Sequence, residues 1–226
     1  MLNEHDGNLV RIDPSTNQVS ATIELGKGFW QDLKLGDGSI WAMGLENGVV
    51  KRVDPHSNKV VDEFTAGEAQ QNSFFKSPFK GGVYSVSVGE GAVWVADRKD
   101  TGKYILSRID PKTHGLVAKI EMDDSNGAPV FWNGYGWVSS TGYLEAGHFI
   151  TKINLKTNQV AGRIFLPAWK SGGAYKFFFK VGSDPPVLLV GEDSLWAVST
   201  TVGGRGAPVI IHRVQAKQPK VRNEQK

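Results

Sequence analysis

The sequence contains no cysteine among its 226 residues. That excludes a disulfide framework and a thiolate metal site, and it leaves the redox compartment unread. It also lacks any apolar run of membrane-spanning length: the longest, such as PVLLVG from Pro186, are as long as a strand. No secretory signal precedes the first repeat, and no stretch carries a helical apolar period. Charge of one sign is scarce too. Lys and Arg number 26 against 23 Asp and Glu, a formal charge of +3. Part of that excess sits in the closing stretch AKQPKVRNEQK, a polar basic segment that reads as a disordered tail. The balance therefore carries no specific nucleic-acid signal.

What the chain does have is glycine, at 27 residues, and seven tryptophans. Two phrases alternate along it. One is a glycine turn running into an apolar residue and Trp: GDGSIW ending at Trp41, GEGAVW at Trp94, GEDSLW at Trp196, and a looser NGYGW at Trp137. The other is RIDPSTNQV from Arg11, RVDPHSNKV from Arg52, RIDPKTHGLV from Arg108 and the variant KINLKTNQV from Lys152. HRVQ from His212 is a last, degenerate copy. The second phrase returns in steps of roughly 40–55 residues, the length of a four-stranded blade plus insertions. In the first, apolar residues flank a glycine-bearing turn, which describes a hairpin. In the second, Asp caps the turn, Pro presets φ and Ser/Thr-Asn completes it. The ordinary role of these repeated residues is blade packing and turn chemistry.

The expected fold is all-β: a β-propeller of four-stranded antiparallel blades, each with strands a to d. The repeats run over 1–26, 27–67, 81–122, 127–167 and 185–215, with a tail over 216–226. Met1-Leu2-Asn3 reads as the close of a strand b, followed by strands c and d, and the last repeat supplies strands a, b and c. That gives about four and a half to five blades, in a ring of about five or an open arc. The expectation is of a fragment or an N-terminally shortened chain, and a missing upstream segment would take any signal peptide with it.

These residues resemble the YVTN-type β-propeller repeat family and its streptogramin-lyase-like relatives, which couple a glycine turn, an aromatic-apolar strand and an I-D-P-x-T-N-x-V hairpin. The likeness runs from about Asn8 to Val214 and is carried by structural positions. It implies a location outside the cytoplasm, periplasmic or secreted, and either a binding role or a lyase activity. Lyases of this fold use a histidine base, a Glu-x-His pair and a divalent metal such as Mg.

Strand order sorts the connections. The a–b and c–d turns are short and uniform and share one end of the blades. The b–c and d–a connections share the other end and hold nearly all the length variation, and binding residues concentrate in such loops. The candidate ligand-binding residues there are Arg98, Tyr143, Trp169, Tyr175, Lys176 and Arg205. Aromatic faces flanked by cations suit a sugar, a base or an anionic group. On strand a, Trp30, Asp32, Tyr84 and Trp132 are candidates for the central channel, with inter-blade packing as their alternative role.

For catalysis the histidines are scattered without HExxH or other ligand spacing. His56 and His114 fall in c–d turns and read as solvent-facing. His148, with Glu145 and Tyr143 nearby, is the weak candidate for a base and its orienter. No Glu-x-His is present, since Glu145 and His148 stand three apart, and there is no nucleophile elbow or P-loop. Three readings stay open: a non-enzymatic propeller binding a small molecule, carbohydrate or protein with no cofactor, a metal-dependent carbon–oxygen lyase, and a structural fragment of a larger propeller.

Overall fold

The computed structural model describes residues 2–3, 6–28, 30–44, 48–66, 83–98, 104–122, 127–141, 148–166, 187–191, 193–200 and 209–214. Among them, strands β1 to β18 form five separate antiparallel sheets in chain order. Blade 1 holds β1 (Leu2–Asn3), β2 (Asn8–Asp13) and β3 (Gln18–Glu24). Blade 2 holds β4 (Trp30–Gly36), β5 (Ser39–Gly44), β6 (Val49–Asp54) and β7 (Lys59–Thr65). Blade 3 holds β8 (Val83–Gly89), β9 (Ala92–Arg98), β10 (Tyr104–Ile109) and β11 (Leu116–Met122). Blade 4 holds β12 (Val130–Trp132), β13 (Tyr135–Thr141), β14 (His148–Asn154) and β15 (Gln159–Phe165). Blade 5 holds β16 (Val187–Gly191), β17 (Ser194–Thr200) and β18 (Val209–Val214). Blade 1 thus carries strands b, c and d, and blade 5 carries a, b and c.

The glycine–tryptophan phrase builds the a–b hairpin. Its turn residues take positive φ in pairs: Asp37 and Gly38, Glu90 and Gly91, Asn133 and Gly134. Two such residues make the primed turn whose twist suits a two-residue hairpin. The Trp then reaches back across the turn. Trp41 Nε1 donates to Gly36 O at 3.1 Å, Trp94 Nε1 to Gly89 O at 3.2 Å, and Trp196 Nε1 to Gly191 O at 3.2 Å. In blade 4 Trp137 makes the same bond to Trp132 O at 3.1 Å. An indole buried with its N–H satisfied stabilises the core and the turn together.

The aspartate phrase builds the c–d turn. Asp13 Oδ1 accepts from Ser15 N and Ser15 Oγ at 2.8 and 2.7 Å. Asp54 accepts from His56 N at 2.9 Å and Ser57 Oγ at 2.7 Å, and Asp110 from Lys112 N at 2.7 Å. The last turn position is left-handed in every copy: Asn17, Asn58, His114 and Asn158. A bulge follows at one place each time, between Arg11 and Ile12, Arg52 and Val53, Arg108 and Ile109, Lys152 and Ile153.

These bonds hold three carboxyls below the ordinary value of 3.8: the Ser15 hydroxyl lowers Asp13, the His56 N–H lowers Asp54 and the Lys112 N–H lowers Asp110. A carboxyl depressed in the folded state adds stability above its unfolded pKa and loses it as pH falls through the folded one. Asn154 accepts from Lys156 N at 2.9 Å and Thr157 N at 3.2 Å with no charge to titrate. The urea midpoint is therefore expected to hold down to about pH 4 and then fall. Asp13→Asn, Asp54→Asn and Asp110→Asn combined should make that acid limb shallower, and an equally steep limb would refute this account of the turns.

The core lies between blades. One cluster joins Trp41, Met43, Val50 and Phe64 of blade 2 to Val86, Val93, Val95 and Ile109 of blade 3. Trp94, Leu106 and Ile120 of blade 3 meet Val138 and Ile153 of blade 4. Leu9 and Ile23 of blade 1 meet Trp30, Ala42 and Val53 of blade 2, and Trp137 and Ile150 of blade 4 meet Leu195 and Ala197 of blade 5. Neighbouring first strands come close, β4 to β8 and β12 to β16, as do last strands, β3 to β7 and β11 to β15.

Candidate functional site

The two ends of the blades differ in how their polar groups are used. At the turn end, two arginines of the Arg-x-Asp phrase reach the next blade's c–d turn, and Arg108 also lies over its own blade's Trp. Arg108 is 5.1 Å from the Trp94 ring centre and donates through Nη1 to Leu155 O and Asn158 Oδ1, both at 3.0 Å. Arg11 Nη1 donates to Pro55 O at 2.9 Å and Asn58 Oδ1 at 3.3 Å. Blade 3 carries His114 where the others carry asparagine, and the joint changes. The His114 ring stacks on Phe64 at 4.7 Å, and its Nε2 lies 2.8 Å from Asp62 Oδ2. His114, expected to face solvent, is exposed and at the same time ties two blades together. Phe64 and Asp62 come from the preceding blade, which no local reading of the turn could supply.

The opposite end carries the long connections, those between β7 and β8, β9 and β10, β13 and β14, β15 and β16, and β17 and β18. Tyr143, Glu145, Trp169, Tyr175, Lys176 and Arg205 lie outside the described residues. Of Tyr84, Arg98 and His148 the backbone is described: β8 carries Tyr84, β9 ends at Arg98, and β14 opens at His148. Three strand-a candidates are fully described, and their contacts are inter-blade ones. Trp30 is buried between blades 1 and 2, its Nε1 donating to Gly26 O at 2.9 Å, with Lys51 Nζ 5.7 Å from the ring centre. Asp32 ties blade 2 to blade 3, accepting from Ser85 Oγ at 3.1 Å and Val86 N at 3.2 Å while pairing with Lys34 at 2.8 Å. Trp132 packs 6.0 Å from Trp137 against the blade 4–5 cluster.

Two features of this half of the blades are absent from the sequence reading. Asp97 is 5% exposed near the end of β9, the only buried ionisable side chain among the described residues. It precedes Arg98, which the sequence assigns to a long connection; the structure extends the strand through Arg98. Ser87, Ser140 and Thr151 are also buried, and their hydroxyls have no hydrogen-bond partner among the described residues. Ser140 and Thr151 stand on the face of blade 4 that carries Val138 and Ile153, and Ser87 is paired with Trp94. All three hydroxyls therefore belong to the seam between blades 3 and 4. A buried hydroxyl without a partner is costly, so this seam is less completely satisfied than the turn end. Alternation of strand residues puts Ser140 and Thr151 on an inward face, but which face is inward emerges only once two blades pack.

At the turn end a shallow depression of about 330 Å3 is bounded by Leu35, Ile40, Pro55 and His56. It is open and apolar, and it offers no set of polar groups to orient a ligand. Among the described residues no three His, Asp or Glu side chains gather as a metal set.

No protein-family model matches the chain, and no curated protein does. Solved structures do. The β-propeller domain of Cps50 (Swd1) from Myceliophteria thermophila matches with a TM-score of 0.53 at 12% identity, over 86% of this chain and 56% of that one. This chain is a β-propeller. The hydrazine synthase of Kuenenia stuttgartiensis matches the propeller with a TM-score of 0.57 at 11% identity, over 92% of this chain and 60% of that one. The glutaminyl cyclase of Myxococcus xanthus matches with a TM-score of 0.51 at 13% identity, over 93% and 84%. The propeller thus spans 56–60% of the first two chains, and identities this low speak to the fold alone.

Proposed function

We propose that this chain is a non-enzymatic binding propeller of the YVTN repeat type, acting outside the cytoplasm and taking a small molecule, carbohydrate or protein at the end that carries the long connections. The observation behind this reading is the asymmetry of the two ends. Aspartates at the turn end bind their own turns, and Arg11 and Arg108 bind the next blade's turn. Those polar groups are committed to holding the blades. The other end receives the variable connections, with their aromatic and basic residues around Trp169, Tyr175 and Lys176. Rigid blades presenting variable loops are a common basis for recognition, and aromatic faces beside cations suit sugars and anionic groups.

An array of glycans and peptides tests this. The chain is expected to retain one class of probe, and Trp169→Ala, Tyr175→Ala and Lys176→Ala combined should lose it while keeping the unfolding midpoint. Lys112→Glu and Lys156→Glu, exposed at the turn end, should leave retention intact. Retention by the triple variant, or no retained probe at all, would overturn the proposal.

A further inference from the structure

Blade 5 presents to solvent the face that blades 1 to 4 each bury against their successor. In blade 2, Trp41, Met43 and Val50 stand on that face with no exposure at all. Register puts Trp196, Val198 and Ile211 at the matching places of blade 5, since Met43 pairs Val50 and Val198 pairs Ile211. Here Ile211 is 61% exposed, and Val187 and Leu189, on the same face of the sheet in β16, are 60% and 55% exposed. The polar part of the joint is set as well. Arg213 lies 5.2 Å from the Trp196 ring centre, its Nε donating to Ser194 Oγ at 2.8 Å, just as Arg52 Nε donates to Ser39 Oγ at 2.8 Å. The innermost-strand glycine agrees. A Cβ on Gly36 would meet Val88 of the next blade at 2.6 Å, whereas one on Gly191 would meet nothing within 4 Å.

The complement to this face is present on the same chain. Blade 1 turns outward the face bearing Ile12, 47% exposed, and Val19, 61% exposed. Ile12 holds the place of Ile109, which is buried where blade 2 meets blade 3. Its c–d turn contains Pro14 and a left-handed Asn17, the counterparts of Pro55 and Asn58, which receive Arg11. Both faces are exposed at once, so within one chain they do not cover each other. We propose that blade 5 docks onto blade 1 of a second copy of this chain, head to tail, with Arg213 donating to Pro14 O and Asn17 Oδ1 and with Leu189, Trp196 and Ile211 packing on Ile12 and Val19. The contact is heterologous, so association continues into a ring or an open chain of copies.

Sedimentation velocity over a wide concentration range tests this with the full chain. Mass should rise with concentration in steps of the monomer. Ile211→Glu, Arg213→Glu and Ile12→Glu should each remain monomeric, with far-UV circular dichroism and unfolding midpoint kept, because these side chains are exposed. Mixing Ile12→Glu with Ile211→Glu should restore a species of two chains and no larger, since each variant keeps one intact face. A wild-type chain that stays monomeric at every concentration would overturn the proposal, whether its two faces meet each other or another partner. Association that survives the substitutions, or fails to return on mixing, would overturn it too.

Discussion

Replacing Trp94 with alanine is expected to lower the unfolding free energy by about 3–5 kcal/mol, read as a fall in the urea midpoint. The indole has no exposed surface and sits where blades 3 and 4 meet. Its loss removes apolar area and leaves a cavity that strands held on both sides cannot close. It also removes the bond to Gly89 O, the surface beneath the Arg108 guanidinium and the edge facing Phe131 at 5.7 Å. Arg108 would then span to blade 4 without the ring that orients it. Set against a typical domain stability of about 5–15 kcal/mol, this is a large fraction. The matching change at Trp196 should cost clearly less, because no blade among the described residues packs on its outer face and the ring is only partly buried. Equal losses at the two positions would show that hairpin closure, and not inter-blade packing, sets the value of the Trp.

Gly36→Ala should cost about 1–3 kcal/mol, although it adds a single methyl group. The added Cβ would lie 2.6 Å from both Cβ and Cγ1 of Val88 and 3.2 Å from its carbonyl oxygen. Val88 belongs to β8, so relief requires two first strands to separate rather than a side chain to turn. Val88→Ala should therefore fail to rescue Gly36→Ala, since the Cβ it keeps is itself in the clash, and Val88→Gly should recover part of the loss. Gly191→Ala serves as the control, within about 0.5 kcal/mol of wild type. A Gly36→Ala variant as stable as that control would mean that blades 2 and 3 are not held at this distance.

Much of the fold was legible because a propeller repeat is written locally. The strands, the positive-φ turn pairs and the Asp-capped turns each depend on residues a few positions apart, so GDGSIW and RVDPHSN announce their hairpins unaided. Asn17, Asn58 and Asn158 mark the left-handed positions, and the side chains of Asn58 and Asn158 also receive the preceding blade's arginine; only the first role is visible in sequence. Connector positions are similarly legible, though Arg98 proved to be a strand residue. Nothing local distinguishes the end of a strand from the start of a loop when both are polar. Sequence likewise offered Trp30, Asp32 and Trp132 as channel residues or as packing residues, because alternation assigns two faces without saying what each face meets.

Short-range sequence signals were enough to give successive hairpins and sheets, and to put the long connections at one end of the blades. Each of those follows from short-range turn chemistry and antiparallel order. Only the tertiary structure decided that Asp32 ties blade 2 to blade 3, that His114 replaces an arginine clamp with a stacked pair on Phe64 and Asp62, and that blade 5 leaves its Trp196 face open. Those outcomes depend on which side chains meet across a gap of some fifty residues, and that pairing exists only once the sheets stand side by side.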